Sequence, residues 1–440
     1  MTRTHLRGAA ITAAVLMLQA CGGGGVQDSI TPPTPPVDTT KTPVVQRTSL
    51  SVRVAIDGAD AETARQAQVT GAGVTVRLVR TGASEPVREL IADTDGVVEF
   101  RDLLEGLYEV TVARELSVDE RNRLTSLDDR DINLLAGGSR IVVSPPTAAT
   151  LQVSLTASRR GSLAISEMYA WIPVVGQTFY QYAQYIEVAN LADTTVYLDG
   201  VLLVRTYPQQ HAGFPESGYC SDFATFRTDS SALWVSQIYR YPGTGREYPL
   251  RPGQFTVWAM DAINHGAFIA GAPDLSRAQF EEIGGPADVD NPAAVKMVRL
   301  TKGSDVVTHG YPMVDERITA LVLPIARDTL GLERRPVSPS SNVPVWRIPR
   351  GAVLDVAALA STIAAYTGTG AYRGGYRYCE PFTSTAHDRA FGQWIDSREN
   401  RAIRRRSLGA TASGVPILQR TRTSARDFEL AEPLRRSLNR

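Results

Sequence analysis

Hydrophobic and polar residues alternate with a period of two along much of this chain, most cleanly in residues 185–204. Ile186 and Val188 alternate there with Glu187 and Ala189, residues 190–195 carry turn chemistry, and Val196 and Leu198 alternate with Tyr197 and Asp199 before Gly200. A two-residue period puts successive side chains on opposite faces of an extended strand, so the stretch predicts a β-hairpin. Glu187 and Asn190 fall in it as a strand-edge and a turn residue. Residues 163–167 and 250–259 repeat the period on either side.

Nearer the N-terminus, Leu50, Val52, Val54 and Ile56 alternate with polar residues, as do Val74, Val76 and Leu78. Asp95-Gly96 stands before Val97 and Phe100 as a hairpin signal, because glycine takes a positive φ without steric cost. Residues 103–112, 141–143 and 151–155 continue the strand pattern. Residues 115–135 are irregular, reading as a short helix or a long loop. Two later stretches have a helical look. Residues 276–283 have Asp274 or Ser276 as cap and Gly284-Gly285 as stop, and residues 353–366 space Val353, Val356, Leu359, Ala360 and Ile363 along one face. The pattern as a whole predicts an all-β chain of two domains in tandem, 48–158 and 161–430, with residues 159–161 as the hinge and 431–440 as a basic tail; the resemblances given below imply that both are immunoglobulin-like β-sandwich domains. The second domain exceeds a minimal sandwich of about 100 residues. The surplus falls in insertions at 207–241, 264–292 and 327–393, where loops on a β-scaffold carry recognition.

Composition narrows the chemistry. The 440 residues are 43% hydrophobic with a formal net charge of zero, which opposes bulk attraction to nucleic acid or anionic membrane. Lysine occurs only at Lys41, Lys296 and Lys302, so the basic residues are almost all arginine. With cysteine limited to Cys21, Cys220 and Cys379, and histidine to five positions, no Cys/His metal cluster and no cofactor are expected.

Residues 1–20 read as a signal peptide. Arg3, His5 and Arg7 precede an apolar run from Ala9 to Leu18, too short for the roughly 20 residues that span a bilayer. The run ends at Leu18-Gln19-Ala20-Cys21, which resembles a bacterial lipoprotein signal. The resemblance implies a mature N-terminus at Cys21 carrying lipid, and Gly22 implies outer-membrane sorting in a two-membrane cell. Several acyl chains, at about 0.8 kcal/mol per buried methylene, would make the anchor effectively permanent. Residues 21–47 are a Gly- and Pro-rich linker with little to bury, a flexible start followed by an extended spacer.

The order Asp95-Gly96, Phe100, then Leu103, Gly106, Tyr108, Val110 and Val112 resembles carboxypeptidase-regulatory and pilin B-type sandwich modules, which implies that Tyr108 is buried. No lysine exists in this region, so an isopeptide bond of the pilin kind is excluded. Residues 165–167, 185–190, 196–200 and 250–253 resemble a lamin-tail-type immunoglobulin-like sandwich. Tyr241-Pro242-Gly243, Asn264-His265 and Asp290-Asn291-Pro292 are similar to a family of bacterial envelope lipoproteins that joins the two modules. That family has no assigned reaction, so the resemblance implies fold and compartment alone.

Cys220 and Cys379 have similar flanks, Gly-Tyr-Cys-Ser-Asp-Phe and Arg-Tyr-Cys-Glu-Pro-Phe, and an oxidising envelope favours a disulfide between their insertions. The alternative is two buried thiols. Residues 366–378 are Gly-rich without a phosphate-loop lysine; Tyr372, Arg373, Tyr376 and Tyr378 are partner-binding candidates there, or the tyrosines pack on the sheet. Asp93 with Asp95, and Asp288 with Asp290 and Asn291, offer oxygen ligands but read more simply as loop-forming residues, and His265 as a group bonding loop backbone. Residues 398–440 hold eleven arginines against four acids, a net +7 suited to acidic loops or an anionic glycan. Nucleophile-elbow, zinc-ligand and dinucleotide patterns are absent. The expected function is therefore that of a non-catalytic, lipid-anchored outer-membrane protein holding an outer-membrane transporter or a surface polysaccharide, with no nucleic-acid partner. The alternative is an envelope hydrolase of phosphoesterase or nuclease type.

Overall fold

Leu50, Val52 and Val54 alternate inward from strand Thr48–Ile56 and meet Val76, Phe100, Val110 and Val112 in one apolar core. The computed structural model describes residues 45–124, 132–175, 178–207, 210–212, 224–267, 269–282, 291–301, 314, 318–324, 332–338, 341–361, 371–373, 376–378, 384–395 and 399–433. Within Gln46–Arg440, one compact unit, the described residues form an all-β, sandwich-like structure of two lobes. The first lobe packs an antiparallel sheet (Arg88–Ile91, Thr75–Arg80, Gly106–Glu115, Leu134–Val143) against Ala149–Ser158, Thr48–Ile56 and Val97–Leu103. Strand Ala149–Ser158 runs parallel to Thr48–Ile56 and joins the two halves at its far end, pairing residues 156–158 with 134–136. Tyr108 is buried as its resemblance implied, its hydroxyl donating to Leu104 O at 3.0 Å.

The Asp95-Gly96 turn forms, with Gly96 at φ +73°, but it does not close a hairpin. The flanking strands Arg88–Ile91 and Val97–Leu103 lie at opposite ends of the ladder. Asp93 Oδ1 accepts from Asp95 N and Val97 N, so this carboxylate holds its own turn. The irregular stretch contains a short helix, Val118–Asn122, started by a capping box between Ser117 and Glu120.

The second lobe is layered more deeply than a two-sheet sandwich. One sheet runs Val295–Lys296, Phe280–Glu281, Phe255–Ala259, Tyr185–Asn190, Leu163–Tyr169, Ala402–Arg405, Phe428–Ala431. The other runs Val298–Arg299, Gln237–Arg240, Leu202–Arg205, Ile318–Val322, Val353–Ser361, Gly392–Ile395. Between them lie Ile165, Ile186, Val188, Trp258 and Phe428 from one side and Leu203, Tyr239, Leu321 and Ala357 from the other. Each sheet is also covered outside. Val204, Ile238, Ala320 and Val356 pack beneath Leu233, Val235, Trp346 and Ile348 of a third sheet. Tyr169, Tyr185, Val257 and Ala259 pack beneath Ala262, Leu275, Ala278 and Ala294. Strands covered on both faces bury every side chain, each Val, Leu, Ile or Phe contributing on the order of 1.5–3 kcal/mol.

This layering corrects four expectations. Residues 185–204 are not a hairpin, because Tyr185–Asn190 pairs with Leu163–Tyr169 and Phe255–Ala259 while Leu202–Arg205 belongs to the facing sheet. Glu187 thus lies in a central strand, wholly buried, its Oε1 accepting from Ser166 Oγ at 2.7 Å. Asn190 does hold the turn, accepting from Ala192 N and donating to Thr194 O and Leu250 O. Residues 353–361 form a strand rather than a helix, because a strand buried on both faces needs no alternation. Residues 276–282 form turns and the short strand Phe280–Glu281. The cap signal was real, with Asp274 Oδ1 accepting from Ser276 N at 3.0 Å, but no helix follows.

Residues 159–161 are no hinge. Arg159 N donates to Arg420 O (3.1 Å) and Arg420 N donates to Ser158 Oγ (2.9 Å). Asn133 clasps Arg160 from the other side, its amide donating to Arg160 O and its Oδ1 accepting from Arg160 N. Leu134 and Ala136 pack on Leu408 and Ile417 across the junction, so the two lobes are welded.

Candidate functional site

The junction is built over a buried ionic network. Arg405, on strand Ala402–Arg405, reaches across the core to Asp355 on Val353–Ser361 of the facing sheet, Nη2 to Oδ2 at 2.7 Å. Its other donors go to Ile165 O, Gln419 O, Val356 O and Asp427 Oδ2, so all five N–H groups have an acceptor. Its guanidinium also stacks 4.2 Å from the Phe428 ring centre. Arg420 Nε bonds Asp355 Oδ1 at 3.2 Å and Nη2 bonds Leu354 O at 2.7 Å. Burial pushes the Asp355 carboxyl up, but Arg405 and Arg420 outweigh it and hold Asp355 below the usual carboxylate range. Burial pushes Asp427 up in spite of Arg405, and pushes Asp388 up much further. Arg405 and Arg420, two arginines of the basic stretch 398–440, are therefore core residues.

Above this floor opens a polar cleft of about 620 Å³. Arg121 and Asn133 come from the first lobe, Arg159 and Arg160 from the junction, and Arg350, His387, Arg420 and Arg422 from the second. Six arginines line it, with no Asp or Glu among the described lining residues. Arg160 is offset at the rim by Glu115 and Asp193. Arg420 Nη1 and His387 Nε2 are sealed from solvent and have no hydrogen-bond partner among the described residues. Burial lowers the His387 imidazole below its ordinary value, and Arg350 and Arg422 nearby push the same way while a backbone bond to Ala232 opposes. Ser424 Oγ donates to Asp388 Oδ2 at 2.5 Å and accepts from Ala358 N at 2.9 Å, a hydroxyl held by a carboxylate rather than an imidazole.

The sequence-derived candidates fall elsewhere. Cys21, Cys220, Cys379, Asp288 and Asp290 lie outside the described residues. Tyr372 and Arg373 lie in strand Ala371–Arg373, and Tyr376 and Tyr378 in Tyr376–Tyr378. These strands pair with each other and with Gln210–Ala212, so the backbone joins two insertions. Asn291 ties the loop to Ala262 O and Ser276 O. His265 bonds loop backbone as expected, Nε2 to Asp261 O at 2.9 Å, while Nδ1 faces Tyr180 Oη at 2.7 Å. Among the described residues no group of three or more His, Cys, Asp or Glu is arranged to hold a metal ion, and no helix is long and apolar enough to cross a membrane. The cleft itself escaped sequence reasoning because its arginines are scattered from 121 to 422. The one local signal was the Arg159-Arg160-Gly161 run, read as a hinge.

The fold is similar to that of a DUF4876 family protein from Bacteroides thetaiotaomicron, with a TM-score of 0.51 and 18% identity over 88% of this chain and 96% of that one. A DUF3823 family protein from Parabacteroides merdae aligns at a TM-score of 0.17 and 11% identity, covering 38% of this chain and 68% of that one. The Bacillus cereus major pilin subunit BcpA aligns at 0.18 and 11%, covering 38% and 45%. The last two overlaps are too slight to define a shared fold. No family model and no curated protein matches the chain.

Proposed function

We propose that this chain is a non-catalytic, lipid-anchored protein of the cell envelope that holds a protein or polysaccharide partner on a rigid two-lobe β scaffold. The cleft at the lobe junction carries this reading. It is large enough for a ligand or a partner's projecting group, within the roughly 300–1,000 Å³ of ordinary binding sites. Its walls come from elements welded together, so its shape is preorganised. The finer assignment is a first lobe of the carboxypeptidase-regulatory and pilin B type, a second of the lamin-tail type, and an anchor at Cys21. It rests on the motifs quoted above and on the Gly/Pro-rich spacer that would stand the lobes off a lipid surface.

A photo-crosslinking residue placed at Arg350 in intact envelopes tests the reading. One dominant adduct with a protein or glycan is expected, and a matched probe at exposed Arg53 should lack it. Identical adduct patterns at both positions would sink the proposal. Membrane association persisting in Cys21→Ser would remove the anchor.

A further inference from the structure

Residues 168–186 carry no charged side chain, although 21% of the chain is Asp, Glu, Lys or Arg. The stretch links the central strands Leu163–Tyr169 and Tyr185–Asn190, whose ladder ends at the pair Tyr169 and Tyr185. Beyond that end Val174–Val175 and Thr178–Phe179 form a two-stranded hairpin that joins no other strand among the described residues. Val174 and Val175 are 60% and 46% exposed, with Trp171, Ile172 and Pro173 half-buried behind them.

The root of the hairpin is braced. Tyr180 N donates to Pro173 O at 2.9 Å, and the Tyr180 hydroxyl is hydrogen-bonded to His265 Nδ1 at 2.7 Å. Trp171 and Tyr180 pack on Ala183, Ile269 and Ala272. The two valines are thus held out to solvent by a fixed support, and apolar surface presented in this way marks a contact site.

The chemistry favours a lipid surface over a protein partner. Protein interfaces use a polar rim and placed charges to set register and partner, and this stretch supplies no charge. Trp171, Tyr180 and Tyr182 stand behind the apolar tip, as rings that are apolar at one end and polar at the other do at headgroup level. The 23 residues between Cys21 and Val45 would reach up to about 70 Å at roughly 3.1 Å per residue. A folded unit of this size has a radius of gyration of about 21 Å, so such a tether lets the second lobe touch the bilayer. Tethering also raises the local concentration, so that a small apolar contact suffices.

From these features we infer that residues 171–175 are a second membrane contact, Val174 and Val175 entering the outer acyl region and Trp171 resting at the headgroups. This contact presupposes the lipid anchor and adds the face of the second lobe that meets the lipid. Being uncharged, it is indifferent to salt.

The test uses the lipidated full-length chain in phosphatidylcholine vesicles with brominated acyl chains, which quench nearby tryptophan. Trp234, Trp258 and Trp346 are buried in the core, and Trp171→Phe identifies the share of the loss that belongs to Trp171. The parent should float with the vesicles and lose Trp171 emission equally in low and high salt. Val174→Asp with Val175→Asp should at least halve that loss while the chain still floats. Val142→Asp, at a similarly exposed valine of the first lobe, should leave it unchanged. A chain that floats with Trp171 unquenched, or quenched equally in the double variant, overturns the contact and leaves the anchor standing. A parent that does not float removes anchor and contact together. Quenching abolished by high salt would assign the surface to headgroup charge, and a detergent-solubilised dimer that the double variant dissolves would assign it to a second copy. Either result overturns the contact.

Discussion

Arg405 Nη2 lies 2.7 Å from Asp355 Oδ2, and both side chains are almost wholly removed from water. The pair spans two facing sheets, so it can form only when those sheets are in register. Replacing such a pair with apolar residues is often neutral, whereas removing one partner strands a buried charge. Asp355 also anchors Arg420 and accepts from Ile165 N. Asp355→Ala is therefore expected to cost at least about 3–5 kcal/mol, measured by urea unfolding. A cost below about 1 kcal/mol, the range of an exposed pair, would show that the network does not organise the core.

Gly409 tests whether the lobes form one cooperative unit. Its φ is +114°, and a Cβ there would sit 1.9 Å from Thr111 Oγ1 of the first lobe. The clash falls on a β-branched side chain inside the junction, so relief requires the lobes to part. Gly409→Ala should lose at least about 1–3 kcal/mol, in the range of overpacking. Calorimetry should resolve two transitions in place of one, and adding Thr111→Ala should recover part of the loss. A single transition at the parent temperature would mean that the junction takes up the added methyl without parting the lobes.

The sequence made the first lobe legible because one face of each strand is buried and the other wet, so Leu50, Val52 and Val54 alternate visibly. It misled in the second lobe, where layers cover both faces. Val353, Val356 and Leu359 then mimic a helical stripe within a strand, and Tyr185–Asn190 pairs with neighbours rather than with residues 196–204. Strands read correctly one by one do not state their partners, and two-residue alternation is silent about which sheet comes next. The cleft was hidden for a related reason. Arg405 and Arg420 look like members of a basic run, and only the fold brings Asp355 to them from 50 and 65 residues away.

Acid should weaken the protein through its buried imidazoles. Burial holds His265 below its ordinary value, although the Asp261 backbone and Asp274 pull the other way. A depressed folded-state value means that the unfolded chain binds the proton first. The stabilising contribution is thus complete above about pH 6.5 and is lost as pH falls through the folded value, by up to about 1.4 kcal/mol per pH unit. His387 acts in the same sense. The raised Asp388 and Asp427 carboxyls act in the opposite sense, so the imidazole contribution is read as a difference: in urea unfolding between pH 7.5 and 5, His265→Gln should lose less stability with acid than the parent. Equal slopes in parent and variant would show that His265 does not titrate differently on folding.

A disulfide between Cys220 and Cys379 would tie together two insertions that already share a sheet. Strand Gln210–Ala212 pairs antiparallel with Tyr376–Tyr378, matching His211 to Arg377. The two insertions that carry the cysteines are therefore joined through backbone, and position 379 directly follows the paired strand. A disulfide needs Cα atoms within about 7 Å. Closing a loop of this length would contribute about 4–5 kcal/mol in the chain-entropy account. Non-reducing peptide mapping of protein from the envelope should recover one peptide pair linking Cys220 to Cys379, and Cys220→Ser should lower the unfolding temperature. Quantitative alkylation of both thiols before reduction would establish that the insertions are held by strand pairing without a covalent tie.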